Sequence, residues 1–89
     1  MKVFKYNLNL TDAQIITIPD LSEVIDVQVQ DGSLVLWAII DKETSLYSSV
    51  NIYIAATGQD FGNDFYLSYL ATFQHEGFVG HVFYDYGIG

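Results

Sequence analysis

Val27-Gln28-Val29-Gln30-Asp31-Gly32-Ser33-Leu34-Val35-Leu36-Trp37-Ala38-Ile39-Ile40 is the stretch that decides the fold. Ahead of the turn, Ile25, Val27 and Val29 alternate with Asp26, Gln28 and Gln30. A period of two gives a strand one apolar and one polar face. Asp31-Gly32 supplies the two residues that a type I′ turn needs at positive φ, so the segment predicts a hairpin. The seven apolar residues from Leu34 to Ile40 have no polar face. Such a run predicts a central strand covered on both sides. Trp37, Leu36, Ile39, Val27 and Val29 are therefore expected in the core.

The same period extends in both directions. Upstream, Phe4, Tyr6, Leu8 and Leu10 alternate with Lys5, Asn7 and Asn9. Ile15-Ile16-Thr17-Ile18 is β-branched throughout and stops at Pro19, the sole proline, which cannot donate to a ladder and marks a strand end. Downstream, a polar loop over 41–49 leads to a strand on Val50, Ile52, Ile54 and Ala56. Residues 57–64 are dense in turn formers and predict a loop. A strand from Tyr66 to Gln74, with Leu67, Tyr69, Ala71 and Phe73 on one parity, passes through His75-Glu76-Gly77 into a last strand from Val79 to Tyr86. These two predict a second hairpin. Asp12 to Ile16 and Ser22 to Val27 each open on a helix-capping residue, but both are too short and too β-branched to hold a helix well. The expectation is one mainly β domain over 1–89, a small antiparallel sandwich or barrel-like roll of about seven strands with at most one short helix.

Composition bounds what such a domain can do. At 89 residues and 51% hydrophobic there is one core and no more, and a domain this small buries only about 60–65% of its unfolded surface. A modest core with many aromatic residues favours a homodimer. The chain has no cysteine, which removes disulfides, thiolate metal sites and cysteine nucleophiles, and favours a cytoplasmic setting. The apolar run at 34–40 falls far short of the roughly 20 residues a membrane helix needs. Three lysines and no arginine stand against eleven carboxylates, for a formal charge of −8. Direct nucleic-acid binding and anionic membranes are disfavoured, because both rely on Lys and Arg. A partner protein with a basic surface fits the charge.

No cofactor, metal or catalytic constellation is assigned, and no enzyme activity is expected. Asp60-Phe61-Gly62 spells the magnesium-binding tripeptide of protein kinases without the rest of that machinery. Asp60, Asn63 and Asp64 lack the spacing of a calcium loop. His75 and His81 have no defined third ligand, and Ser45, Ser48 and Ser49 have no histidine near them in sequence. The seven tyrosines are more informative, since each joins a large apolar ring to a polar tip and suits a contact surface. The candidate partner-binding residues are Asp20, Glu23, Asp26, Asp41, Glu43, Asp60 and Asp64, with Tyr53 and Tyr66.

Several stretches together resemble a family of small proteins of unknown function from tailed phages and prophages. They are Lys5-Tyr6, Asp12-Ala13-Gln14, Pro19, Val27-Gln28-Val29-Gln30-Asp31-Gly32, Leu36-Trp37-Ala38-Ile39-Ile40-Asp41, Thr57-Gly58, Thr72-Phe73-Gln74 and His81-Val82-Phe83. The resemblance spans almost the whole chain. That family carries histidine after its Thr-Gly where this chain has Gln59, so no metal or catalytic role is carried over there. The resemblance implies a setting, the cytoplasm of an infected bacterium. The function expected is a non-enzymatic phage accessory protein that binds and inhibits a host protein such as a defence system, in one version by acidic mimicry of nucleic acid. Two alternatives stand beside it: a protein that binds or sequesters a small ligand such as a nucleotide, and a virion or scaffold component.

Overall fold

The computed structural model describes residues 1–41, 44–60 and 67–87. Within them the chain forms seven strands and no helix: β1 (Lys2–Asn7), β2 (Ala13–Pro19), β3 (Glu23–Gln30), β4 (Ser33–Ile40), β5 (Tyr47–Ala56), β6 (Ser68–His75) and β7 (Phe78–Tyr86). All the pairings are antiparallel, in a three-stranded sheet A of order β1-β4-β3 and a four-stranded sheet B of order β2-β5-β7-β6. The segments 12–16 and 22–27 hold strand rather than helix. Their β-branched residues fit a pleat better than a helical turn.

Both hairpins turn on two residues at positive φ. Asp31 (φ 52°) and Gly32 (φ 79°) join β3 to β4, and Glu76 (φ 49°) and Gly77 (φ 82°) join β6 to β7. This is the combination a type I′ turn requires. β4 is central in sheet A, and Leu34, Leu36, Ala38 and Ile40 point from it into the core. There they meet Val24 and Val27 of β3 and, from sheet B, Ile18, Val50, Ile52, Ile54, Ala71, Phe73 and Val82.

Two β-bulges overturn the expected side-chain facing. In β3 the register against β4 shifts between Val24 and Asp26, so Val24 and Val27 face the core and Ile25 is pushed outward, 40% exposed. In β6 the shift falls between Tyr69 and Ala71, so Leu70 packs against the core and Tyr69 turns to the outer face. One extra residue reverses the parity of everything before it. Trp37 and Ile39 are a further correction. They sit on the outer face of sheet A, partly buried and off the core cluster, while Leu36 and Val27 are fully buried and Val29 packs at the core margin.

The two sides of the sandwich differ. β3 and β6, edges of different sheets, run close together and seal one side with Val24, Val27, Ala71 and Phe73. On the other side, β1 and β2 are edges with an open groove of about 430 Å³ between the sheets, lined by Phe4, Pro19, Ile40 and Tyr47 among others.

Candidate interaction surface

The register places three apolar side chains in a file down the outer face of sheet A. Val35 stands between Asn7 and Gln28, Trp37 between Lys5 and Asp26, and Ile39 between Val3 and Glu23. Val35 is buried under its neighbours, whereas Val3 (58% exposed) and the bulged Ile25 carry the apolar surface outward. Charged and amide groups rim this file. Lys5 Nζ donates to Gln30 Oε1 at 3.0 Å, across the face. Asp26 Oδ1 accepts from the Val27 amide at 2.8 Å and from Gln28 Nε2 at 3.3 Å, which fixes its carboxylate beside the indole. An aromatic centre with a polar rim is the anatomy of a protein contact.

The carboxylates singled out from the sequence do not form one cluster. Glu23, Asp26 and Asp41 belong to sheet A or its end, and Asp20 lies at that same end, just beyond β2. Asp20 is committed to the fold: its Oδ1 accepts from Ser48 Oγ at 2.5 Å, and its amide donates to the Leu46 carbonyl at 2.9 Å. Asp60 follows the far end of β5, at the opposite pole. Tyr53 lies on the outer face of sheet B, on the side of the molecule away from Trp37. Glu43, Asp64 and Tyr66 lie outside the described residues, as do Phe61, Gly62 and Asn63 of the two loop motifs.

The outer face of sheet B carries a hydrogen-bonded chain that sequence spacing did not reveal. His81 Nε2 lies 2.7 Å from Thr57 Oγ1, His81 Nδ1 lies 3.0 Å from Thr72 Oγ1, and Tyr69 Oη lies 2.8 Å from the same Thr72 hydroxyl. A hydroxyl on an imidazole is half of a nucleophile and base pair, but here the third group is a threonine rather than a carboxylate. The chain satisfies both ring nitrogens and ties β6 and β7 to the turn after β5. Gln59, at the position after Thr57-Gly58, is part of that turn: its Oε1 accepts from the Ala56 amide at 2.9 Å. His75 Nε2 lies 3.8 Å from Glu76 Oε2. No three His, Asp or Glu side chains converge among the described residues.

Two phenols are held in their protonated form. Burial pushes the Tyr86 pKa upward, the amide of Val24 that its hydroxyl accepts at 3.4 Å opposes this, and Tyr84 and Glu23 add to the rise. Burial likewise raises Tyr6, with Tyr47 adding to the shift.

These features define a small antiparallel β-sandwich with one apolar, charge-rimmed sheet face and one open edge. The chain belongs to the family described as domain of unknown function DUF7352, whose model matches residues 1–87. No curated protein and no solved structure matches the chain.

Proposed function

We propose that this chain is a non-enzymatic binding protein that docks on a basic face of a host protein and blocks it, with the outer face of sheet A as its contact surface. One observation carries the reading: Trp37 and Ile39, in a chain short of core, stand outside the core between exposed Val3 and Ile25 and the carboxylates Glu23 and Asp26. Trp is among the side chains that dominate binding energy at interface centres, and rim carboxylates speed the approach to a basic partner. The resemblance to small phage and prophage proteins supports a host factor as that partner. On this reading Glu23, Asp26 and Asp41, on sheet A or at its end, take part in docking, Asp20 is held by Ser48, and Asp60 lies at the opposite pole, away from the contact face.

The test is quantitative capture from host lysate by wild-type, Trp37→Ala, Asp26→Asn and Asp60→Asn proteins at two salt concentrations. Wild-type and Asp60→Asn should retain the same partner. Trp37→Ala should lose it, and Asp26→Asn should weaken it. Capture should fall as salt rises, because the Debye length shrinks from about 10 Å at 0.1 M to about 3 Å at 1 M. Equal capture by all four proteins would refute the reading.

A further inference from the structure

We infer that the free edge of β1 is a self-recognition site, through which two copies of this chain pair antiparallel into one continuous six-stranded sheet. This goes beyond the docking reading and does not depend on it.

The backbone comes first. The Leu8 amide donates to the Leu34 carbonyl at 2.9 Å. In an antiparallel ladder the residues bonded to one neighbour alternate. With Leu8 turned toward β4, so are Tyr6, Phe4 and Lys2, and the N–H and C=O of Val3, Lys5 and Asn7 point away from the sheet. β1 carries no bulge and no proline, and its register with β4 is unbroken. The other edges are protected. β3 and β6 are bulged and lie against each other, and β2 ends in Pro19, with Asp12 just before it and Asp20 just after.

The side chains then select the occupant. Phe4 points inward, toward the groove between the sheets, yet is 44% exposed, while Val3 on the opposite face is 58% exposed. At Val3 and Phe4, β1 is thus exposed on both faces as well as along its edge. It also holds Lys2 and Lys5, two of the three cationic side chains of a chain with formal charge −8. Among the edges, β1 is where two such anionic chains can approach on cations; pairing through β2 would bring Asp12 and Asp20 together.

A two-fold axis at Phe4 gives a register without like charges opposed. Phe4 faces Phe4 of the second copy, Val3 faces its Lys5, and Lys2 faces its Tyr6. Val3 and Lys5 exchange both backbone hydrogen bonds with their counterparts. Across the joined outer face one row reads Asp26, Trp37, Lys5, then Val3, Ile39 and Glu23 of the second copy, following the registers within each sheet. Cations sit at the centre and carboxylates at both ends, with apolar contacts between them. The pairing also sets two Trp37 files on one surface.

The absence of cysteine makes the register directly readable. Light scattering should report twice the chain's 10.0 kDa. The dimer should tighten as salt rises, since two −8 chains repel; docking on a basic partner weakens under the same change, so the two ideas fail separately. Lys5→Pro removes the outward N–H and, on the exposed face, the side-chain bond to Gln30, and should give a folded monomer. Phe4→Cys should cross-link on oxidation, because Cα atoms of a facing non-hydrogen-bonded pair lie about 4.5 Å apart, within disulfide reach. Asn7→Cys should not, since its two copies would lie roughly 20 Å apart at about 3.4 Å per residue. A 10.0 kDa species at millimolar protein and high salt would overturn the inference. So would a dimer indifferent to Lys5→Pro, or equal cross-linking at positions 4 and 7. Should Lys5→Pro fail to fold, the two cysteine variants decide.

Discussion

The side of the sandwich where β3 meets β6 and the side where β1 and β2 stand apart are built from the same residue types and treated in opposite ways. On the closed side, Val24, Val27, Ala71 and Phe73 are all buried, and a bulge in each edge strand turns one residue aside so that the two sheets can approach. On the open side, Phe4 is nearly half exposed, and Ile15 of β2, at 69%, more so. The comparison separates residues that hold the fold from residues the fold leaves available. Chain stability should therefore reside on the closed side and contacts with other molecules on sheet A and its open edge.

The largest effect that could break this comparison is Phe73→Ala. Phe73 is 2% exposed and packs against Phe78 with ring centroids 5.9 Å apart. Its loss should cost about 3–5 kcal/mol, measured by denaturant unfolding. For a domain of this size that is a large part of total stability. Gly80→Ala should come next. A Cβ there would lie 2.5 Å from Phe73 Cε1 and 2.9 Å from Phe78 Cε2, so the buried Phe73 ring would have to shift to admit it. Overpacking of this kind costs about 1–3 kcal/mol. Trp37→Ala should cost less than removing a core aromatic, about 1–2 kcal/mol, because the indole packs on its own sheet face and not in the core. A loss as large as that of Phe73→Ala would move Trp37 back among the fold residues. Ile15→Thr on the open side should change stability by less than about 0.5 kcal/mol.

The smallest effect is one of pH. Tyr86 and Tyr6 have folded-state pKa values raised above the ordinary phenol value, so the native state holds their protons more tightly than the unfolded chain. Their contribution is fully present below the unfolded value of about 10 and is lost as pH rises through the folded values. The denaturation midpoint should thus fall on going from pH 9 to pH 11. Tyr86→Phe should make that fall shallower, and an unchanged slope would show that its proton is not held by the fold.

Much of this architecture is legible in the sequence, because its determinants are local. Asp31-Gly32 specifies a turn by its own φ preferences, and the unbroken run 34–40 specifies a central strand. What the sequence does not show is what depends on a neighbouring strand. Nothing in Val24-Ile25-Asp26 or Tyr69-Leu70-Ala71 marks a bulge, since the extra residue exists only relative to its partner. As a result, Ile25 and Tyr69 face opposite to their expected sides. The run around Trp37 rightly implies a central strand, but only one face of that strand is covered by the other sheet, and the run cannot say which. The same limit applies to the carboxylates: Asp26 and Asp60 look equivalent along the chain and lie on different parts of the molecule.

The most direct test of the central claim, that contact belongs to sheet A and its open edge, is hydrogen–deuterium exchange of the protein alone and bound to a captured partner. Binding should slow exchange in β1, β3 and β4 and leave peptides of β6 and β7 unchanged. Slowing confined to β6 and β7, with β1 and β4 unchanged, would contradict it and move the functional surface to the face that carries Tyr53 and His81.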